Sequence, residues 1–319
     1  FVNGSVGYAG GDSQNGGGAG IAKTVDGAKS WTEVWSGFPS GEGMELVLVG
    51  DTLLWAVYGD RLVVLDVRTD TVVKRIVLYP FVSEICPDQN LSDIEVVDDT
   101  VVILPACNGV IISTDAGLQW RYVEIDPRVN PIRLSFSSRE HGLVLTSSGG
   151  IYRTSDGGST WHAAEGLPSI TGDLYDIVSL TGSRGVVVGS GVGFSQDSGR
   201  TWTGVPRLPG FLACSSVVAV DDTLVWAAGS DNIIHSTDGG ASWQYQLKDN
   251  ALLHVIHAVN RDTVHAAGGI DHYVTWNGGA TPSSLHGEPS DLDGDWQCVV
   301  APNPVADRCT IVSDRCIRA

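Results

Sequence analysis

Short apolar runs alternate with clusters of turn-forming residues along most of the chain. Residues 216–220 and 224–228, for example, are apolar runs on either side of Asp221-Asp222-Thr223. Runs of about five residues bounded by Asp, Gly, Ser and Thr are typical of β-strands joined by tight turns, and helical periodicity is nowhere sustained. Turns of this kind occur at residues 3–7, 50–52, 98–100, 138–142, 182–185, 221–223 and 261–263. These seven turns predict an all-β chain built from seven similar units.

A second pattern, Ser/Thr-x-Asp-x-Gly-x-x-Trp, recurs in the chain, and we call each copy a box. Complete boxes start 41 residues apart and occupy residues 113–120, 154–161, 195–202 and 236–243. Residues 24–31 form a box with Ala28 at the Gly position, and residues 275–281 are a decayed copy. The spacing matches one four-stranded propeller blade. We therefore predict a seven-bladed β-propeller over residues 1–288, followed by a linker and tail at residues 289–319.

The residue types in the box indicate a hairpin loop. An Asp carboxylate can accept hydrogen bonds from the following backbone N–H groups, Gly permits a positive φ, and Trp anchors the loop against the sheet. One acidic residue per loop is too few to bind calcium, so we expect a structural role and no metal. The predicted structural residues are Asp26 and Trp31, Asp115 and Trp120, Asp156 and Trp161, Asp197 and Trp202, and Asp238 and Trp243.

Blade one lacks most of a first strand at the start of the sequence. Residues 296–300 are a candidate to supply that strand from the C-terminal end, which would close the ring and remove two sheet edges. The alternative is that residues upstream of Phe1 supply it. A cleaved secretion signal would explain the abrupt start of the sequence.

The two faces of the predicted propeller differ in character. The boxes and the seven short turns share one face, which we call the box face; the longer, irregular connections share the other, which we call the loop face. Loops on a rigid scaffold usually carry function, so we expect any binding site on the loop face. Cys86 and Cys107 both lie on that face, and we predict a disulfide between them, which would persist in an oxidising compartment.

Charge limits the classes of partner. The formal net charge is −18, and the chain contains only four lysines. Nucleic-acid affinity depends largely on clustered Lys and Arg, so we expect no nucleic-acid partner. No apolar run approaches the ~20 residues that span a bilayer. We also expect no cofactor, because the sequence contains no motif that would hold one.

The boxes resemble the Asp-box or BNR repeats of sialidases, sortilin-type receptors, xyloglucan-degrading glycosidases and propeller-type photosystem II assembly factors, over residues 1–285. Residues 151–161 and 192–202 are similar to the secreted BNR-like propellers of bacteria with type IX secretion. Residues 299–307, followed by 309–312, resemble the start of a type IX sorting domain. The resemblance implies a secreted or cell-surface bacterial protein, and the photosystem-factor resemblance implies a role in assembling a membrane pigment complex.

Two function classes follow from the resemblance and the residues. The first is a binding or scaffold propeller that recognises a protein or glycan partner through its loop face, with Tyr175, Arg128 and Arg207 as candidate binding residues. The second is a glycoside hydrolase, which needs two carboxylates on that face. Its candidate catalytic residues are Asp173, Asp176, Glu84 and Glu95. A sialidase is the poorer fit, because Pro131-Ile132-Arg133 reverses the Arg-Ile-Pro motif. The binding class requires no specific catalytic residues, so it is the preferred prediction.

Overall fold

The chain folds into a ring of seven β-sheets, which confirms the seven-bladed propeller that the sequence predicts. A computed structural model describes residues 1–3, 5–12, 19–38, 44–50, 52–79, 81–86, 91, 93–98, 100–166, 172–268, 271–275 and 297–298. The predicted boundary between propeller and tail, and most of the decayed box at 275–281, lie outside these residues.

The strands follow one another in antiparallel hairpins within each blade. Blade one contains β1 (Gly7–Asp12), β2 (Ala19–Thr24) and β3 (Thr32–Phe38). Blade two contains β4 (Glu45–Val49), β5 (Leu53–Tyr58), β6 (Arg61–Asp66) and β7 (Thr71–Val77). Blade three contains β8 (Glu95–Val96), β9 (Val102–Ala106), β10 (Gly109–Ser113) and β11 (Arg121–Glu124), and is preceded by the helix α1 (Phe81–Ile85).

The remaining four blades continue the same scheme. Blade four contains β12 (Pro131–Phe136), β13 (Gly142–Thr146), β14 (Ile151–Thr154) and β15 (His162–Ala163). Blade five contains β16 (Leu174–Leu180), β17 (Arg184–Gly189), β18 (Val192–Ser195) and β19 (Thr203–Gly204). Blade six contains β20 (Ala213–Ala219), β21 (Val225–Ser236) and β22 (Gln244–Leu252), where β21 runs through the positions of the second and third strands. Blade seven contains β23 (Val255–Ala258), β24 (Val264–Gly268), β25 (Asp271–Thr275) and β26 (Gln297–Cys298).

The hydrophobic core lies between neighbouring blades. All five residues of β9, β10 and β13 are buried, because both faces of these strands pack against adjacent sheets. One core cluster joins Ile103 of blade three to Phe136 and Val144 of blade four. The outer strand β7 instead alternates exposed and half-buried residues, as expected where only one face is covered.

Two elements differ from the sequence-based prediction. Residues 296–300 are one of the two candidates for the first strand of blade one, but Gln297–Cys298 pairs with Asp271–Thr275 as the outermost strand of blade seven. This pairing satisfies the open edge of β25 and leaves blade one with three strands. Residues 81–85 form a helix in a connection that we expected to be irregular, because Val82 is buried and anchors the segment against the core.

Phe1 lies where the first strand of blade one would end. The N–H of Val2 donates to the carbonyl of Val6, just as the N–H of Ser137 donates to the carbonyl of His141 in blade four. The Phe1 ring stacks on the imidazole of His265 in blade seven, with ring centroids 3.6 Å apart. The start of the sequence therefore packs at the seam between blades one and seven.

Candidate functional site

The first strands of neighbouring blades contact one another and surround the central axis, and they begin on the loop face. Strand registers place one residue from each of six blades at the same level near that face. We call these residues the mouth ring: Glu45, Asp93, Arg133, Asp176, Ser216 and Val255. They lie on the opposite side of their strands from core residues such as Leu134, so they line the central channel.

Side chains of the mouth ring connect several pairs of neighbouring blades. The N–H of Leu134 donates to Asp93 Oδ2 at 2.6 Å, and the N–H of Val217 donates to Asp176 Oδ2 at 2.8 Å. Each of these carboxylates thus holds the first strand of the following blade. Arg133 is the only cation of the ring, and its Nε lies 3.8 Å from Asp176 Oδ1.

Burial raises the pKa of every carboxyl group in the mouth ring. Burial raises the pKa of Asp93 to about 6, a shift that Arg133 opposes. Burial raises the pKa of Asp176 to about 7 against hydrogen bonding from Val217 and the charge of Arg133. The pKa of Glu45 rises to about 8, through burial and the charges of Asp93 and Asp176. A cationic group placed in the mouth would favour the ionised forms, so these carboxyls are suited to receive one.

Glu95 lies one level deeper in the channel than the mouth ring. Its Oε1 accepts a hydrogen bond from the N–H of Phe136 at 3.2 Å, so it also ties blade three to blade four. Burial, followed by the charge of Asp93, raises the pKa of Glu95 to about 8. The carboxyl charge of the channel therefore extends inward from the mouth.

The other half of the mouth exposes apolar side chains. Tyr175, Leu212 and Val255 come from blades five, six and seven, at or just before the start of their first strands. Their exposed fractions are 41%, 54% and 51%, which is high for large apolar residues. Neighbouring exposed apolar residues of this kind are typical of an interaction surface. The mouth thus offers carboxylates on one side and apolar surface on the other.

The structure brings together only some of the residues predicted from sequence. Asp176 and Glu95 both line the channel, whereas Asp173 and Glu84 are exposed outside it. Tyr175 lies at the bulge where β16 begins. The two candidate arginines point elsewhere: Arg128 pairs with Asp126 at 2.8 Å, and Arg207 donates to the carbonyl of Ser190.

Sequence reasoning missed Glu45 and Asp93 and did not use Arg133. The usable signal was position, because each lies three or four residues before the last residue of its first strand, as Asp176 does. Residue type alone gave no repeat at this level, since the ring contains acidic, basic, hydroxyl and apolar side chains.

The boxes are closed hydrogen-bonded loops. In blade four, Asp156 accepts hydrogen bonds from the backbone N–H of Thr160 at 2.8 Å and from its hydroxyl at 2.6 Å, and Thr154 donates to the same carboxylate at 2.8 Å. Burial opposes ionisation of Asp156, but these hydrogen bonds outweigh it and lower its pKa. The Trp161 Nε1–H donates to the carbonyl of Gly158 at 3.2 Å. The carboxylate is thus fully engaged within its own loop.

Cysteine placement differs between the two halves of the chain. The structure joins Cys86 and Cys107 in a disulfide with Cα atoms 5.7 Å apart. Cys214 is buried and free, its Sγ lies 3.3 Å from Asn232 Oδ1, and burial raises the pKa of its thiol. Cys298 belongs to β26, and Cys309 and Cys316 lie outside the described residues.

Two further properties concern only the described part of the chain. It contains no group of three or more His, Cys, Asp or Glu side chains arranged to hold a metal ion. Among its residues, no helix has the length and apolar character needed to cross a membrane.

Comparison with known proteins identifies relatives of this fold. The family model described as photosynthesis system II assembly factor YCF48 matches residues 112–282. The structure of YCF48 from Cyanidioschyzon merolae superposes with a TM-score of 0.63 and 15% identity, covering 87% of this chain and 96% of that one. A structure of YCF48 bound to D1 peptide gives a TM-score of 0.60 and 16% identity, covering 83% and 87%. An ancestral GH74 enzyme gives a TM-score of 0.54 and 11% identity, covering 73% and 36%. No curated protein matches the sequence.

Proposed function

We propose that this chain, which belongs to the photosynthesis system II assembly factor YCF48 family, is a binding propeller that holds an extended segment of a partner protein at the mouth ring. The observation that carries the proposal is the composition of the mouth, where Glu45, Asp93 and Asp176 are close enough for their charges to interact and Tyr175 and Val255 are exposed at the same end of the first strands. The neighbour solved with a bound D1 peptide supports the class of ligand, because a propeller of the same fold binds a peptide.

The chemistry of the mouth favours a segment with a cationic side chain next to apolar ones. Three carboxyls with raised pKa values and one guanidinium surround the acidic half. A lysine or arginine head that enters this half lowers the pKa of the carboxyls, so it pairs with carboxylates that ionise as it binds. The aliphatic stem of the same side chain, or a neighbouring apolar residue, covers Val255 and Leu212. The overall charge of −18 also speeds the approach of a basic partner.

We further propose an extracellular or cell-surface location, in keeping with the type IX-like tail. The disulfide between Cys86 and Cys107 supports it, because such bonds persist in oxidising compartments. A glycan partner is the less favoured form of the same proposal, since the mouth presents mainly charge and aliphatic surface.

The test uses fluorescein-labelled octapeptides that differ only at the central residue: lysine, its uncharged isostere norleucine, or glutamate. With leucine and valine on either side, we expect the lysine peptide to bind at least 10-fold more tightly than the other two in fluorescence anisotropy at low salt. The double variant Glu45→Gln, Asp176→Asn should lose about 10-fold in affinity, and its amides keep the oxygen that accepts the N–H of Val217. Glu84→Gln, an exposed acid on the same face, is the matched control and should bind as the parent does.

Two results would overturn the proposal. One is equal binding of the three peptides, which would show that charge in the mouth does not select the ligand. The other is loss of affinity in Glu84→Gln equal to that of the double variant, which would attribute binding to diffuse surface charge.

A glycoside hydrolase is the second candidate, and the raised pKa of Asp176 in the channel mouth favours it, because a proton donor at neutral pH needs such a shift. The engagement of Asp176 and Asp93 with neighbouring first strands argues for the binding role instead. Incubation with xyloglucan and with sialyllactose separates the two, since release of reducing sugar that disappears in Asp176→Asn would establish the hydrolase.

A further inference from the structure

The strand β1 of blade one has an open edge toward the central axis. In the other six blades a first strand pairs with the inner edge of the second strand. Among the strands that the structure describes, β1, which holds the second position of its blade, pairs only with β2. Its residues 8–11 are half-buried, whereas β9 and β13, at the same position of blades three and four, are buried throughout. An open edge presents unpaired N–H and C=O groups and can accept a further strand.

Phe1 marks where a strand added to this edge would end. A Cβ at Gly7 would lie 2.5 Å from the ring of Phe1. The same distance separates a Cβ at Gly142 from the ring of Phe136, which is the last residue of β12 and pairs with Gly142. Phe1 therefore holds the place of the last residue of a first strand.

The register of blade four then locates the seventh position of the mouth ring. Arg133 lies three residues before the last residue of β12 and pairs with the residue three positions after Gly142. Counted in the same way from Phe1 and Gly7, the mouth-ring position of blade one lies opposite Gly10. A strand that adds to β1 would thus supply the member of the mouth ring that blade one lacks.

The two neighbours of this position favour a cationic side chain with an aliphatic stem. Arg133 of the mouth ring reaches the following blade, where its Nε lies 3.8 Å from Asp176 Oδ1. Glu45 holds the place of Asp176 in blade two, and within the described chain it accepts no hydrogen bond. Ile256 packs on blade six, so Val255 points toward blade one, where it is 51% exposed. A lysine or arginine at the seventh position would meet Glu45 as Arg133 meets Asp176, with its stem on Val255.

We propose that the partner segment binds as the first strand of blade one, pairing antiparallel with β1 and placing its cationic side chain beside Glu45. This inference rests on the proposed function and adds the mode of binding. The edge of β1 recognises the main chain of the partner, and the mouth ring recognises one side chain. A second copy of this chain is the poorer occupant, because a net charge of −18 on each copy opposes their association.

Hydrogen bonds between neighbouring first strands predict which N–H groups of the segment contribute. The residue after the mouth-ring position donates its N–H to a mouth-ring side chain of the preceding blade: Leu134 to Asp93, Val217 to Asp176, and Ile256 to Ser216. Successive N–H groups of a strand point to opposite edges, so the N–H of the mouth-ring residue itself points to the second strand. In the bound segment, the N–H of the cationic residue should therefore pair with β1. The next N–H should face Val255, whose side chain has no acceptor.

The experiment compares three forms of the fluorescein-labelled lysine octapeptide by fluorescence anisotropy. One is unmodified, one carries a methyl group on the backbone nitrogen of the lysine, and one carries it on the backbone nitrogen of the following residue. We expect the first methyl group to weaken binding about 10-fold or more, because it removes a hydrogen bond to β1, and the second less than about 2-fold. The two methylated peptides have the same composition and are matched controls for each other. Equal effects would overturn the inference and leave the proposed function intact, since the unmodified lysine, norleucine and glutamate peptides test that function alone.

Hydrogen–deuterium exchange then locates the bound segment. In the free protein we expect the amides of β1 to exchange faster than those of β5, and at saturation with the lysine peptide to slow about 10-fold or more. The outermost strand β7 of blade two is the control and should keep its rate. Slow exchange of β1 in the free protein would mean that a segment of this chain covers the edge. Slowing with protein concentration alone would mean that a second copy does. Either result overturns the inference.

Discussion

The fifth residue of each box determines how closely two blades approach. Gly158 has a φ of 78°, and a Cβ at this position would lie 2.9 Å from Ile112 Cδ1 of the preceding blade. Ala28 occupies the same position in the first box with a φ of 73° and is buried. The glycine thus combines two requirements, a left-handed backbone and contact with a neighbouring blade.

Substitution at Gly158 separates these two requirements. Gly158→Ala should lower the free energy of unfolding by about 2–3 kcal/mol, since left-handed alanine costs about 1–2 kcal/mol and the contact with Ile112 adds to it. Gly149→Ala is the matched control, because Gly149 has a φ of 79° and nothing within 4 Å of its Cβ position. Guanidinium denaturation of both variants is the measurement. Equal losses would show that the blade contact contributes nothing.

Among the elements, α1 depends on its connections to the rest of the fold. Five residues are too few for a helix to be stable alone, so its position comes from burial of Val82 and from the disulfide that begins one residue after it. The pair Cys86 and Cys107 was predictable because both residues fall on the loop face. The helix was not predictable, because one and a half turns are too short for a helical pattern of apolar residues to appear in the sequence.

Removal of that disulfide should weaken the propeller. The bond closes a sequence separation of 21 residues, for which loop-closure entropy gives a stabilisation of about 3 kcal/mol. Cys86→Ala with Cys107→Ala should therefore lower the free energy of unfolding by about 2–4 kcal/mol in urea denaturation. Reduction with dithiothreitol should lower the free energy of unfolding of the parent to that of the double variant. If dithiothreitol leaves the free energy of unfolding of the parent unchanged, the predicted contribution of the disulfide is wrong.

The seam between blades seven and one contains three histidines. His265 Nδ1 and His272 Nε2 lie 3.0 Å apart, and His257 Nε2 lies 3.1 Å from the carbonyl of Phe1. Burial lowers the pKa of His257 and His272 to about 4, and burial with the charge of His272 lowers that of His265 to about 2. The folded seam thus holds these rings neutral.

Acid should therefore destabilise the packing between blades seven and one. A histidine with a lowered pKa contributes stability above its unfolded value of 6.5 and loses it as the pH falls toward its folded value. Between pH 7.5 and pH 5, we expect the free energy of unfolding of the parent to fall by about 2–4 kcal/mol relative to that of His265→Leu with His272→Leu, a comparison in which the buried carboxyls of the channel cancel because both proteins contain them. Urea denaturation at the two pH values measures both differences. If the free energy of unfolding of the double variant changes between the two pH values by as much as that of the parent, the pair has no role in the pH dependence.

At the scale of the whole molecule, the seven blades could be predicted from the sequence, whereas the mouth ring could not. The 41-residue spacing of boxes and the seven short turns specify the blades, because each repeats a local structure with fixed residue types. The mouth ring has no such repeat. Its members meet only because the first strands of six blades converge on one axis, and Glu45 and Asp176 are then close enough for their charges to interact.

The buried carboxyls that line the channel should lower the stability of the propeller at high pH. Glu95 has its pKa raised to about 8 by burial and by Asp93, so its contribution is fully present below the unfolded value of 4.5 and is lost as the pH rises through about 8. Glu95→Gln keeps the oxygen that accepts the N–H of Phe136 but carries no charge.

We expect Glu95→Gln to raise the free energy of unfolding by about 1–3 kcal/mol at pH 9 and to change it little at pH 5, measured by urea denaturation. Glu84→Gln, whose carboxylate is exposed, should have no effect at either pH. An equal gain from Glu95→Gln at both pH values would mean that the carboxyl does not titrate in the channel. A gain confined to pH 9 would show that the charge of the channel is held at a cost to the fold, which is the condition under which a cationic partner stabilises the propeller as it binds.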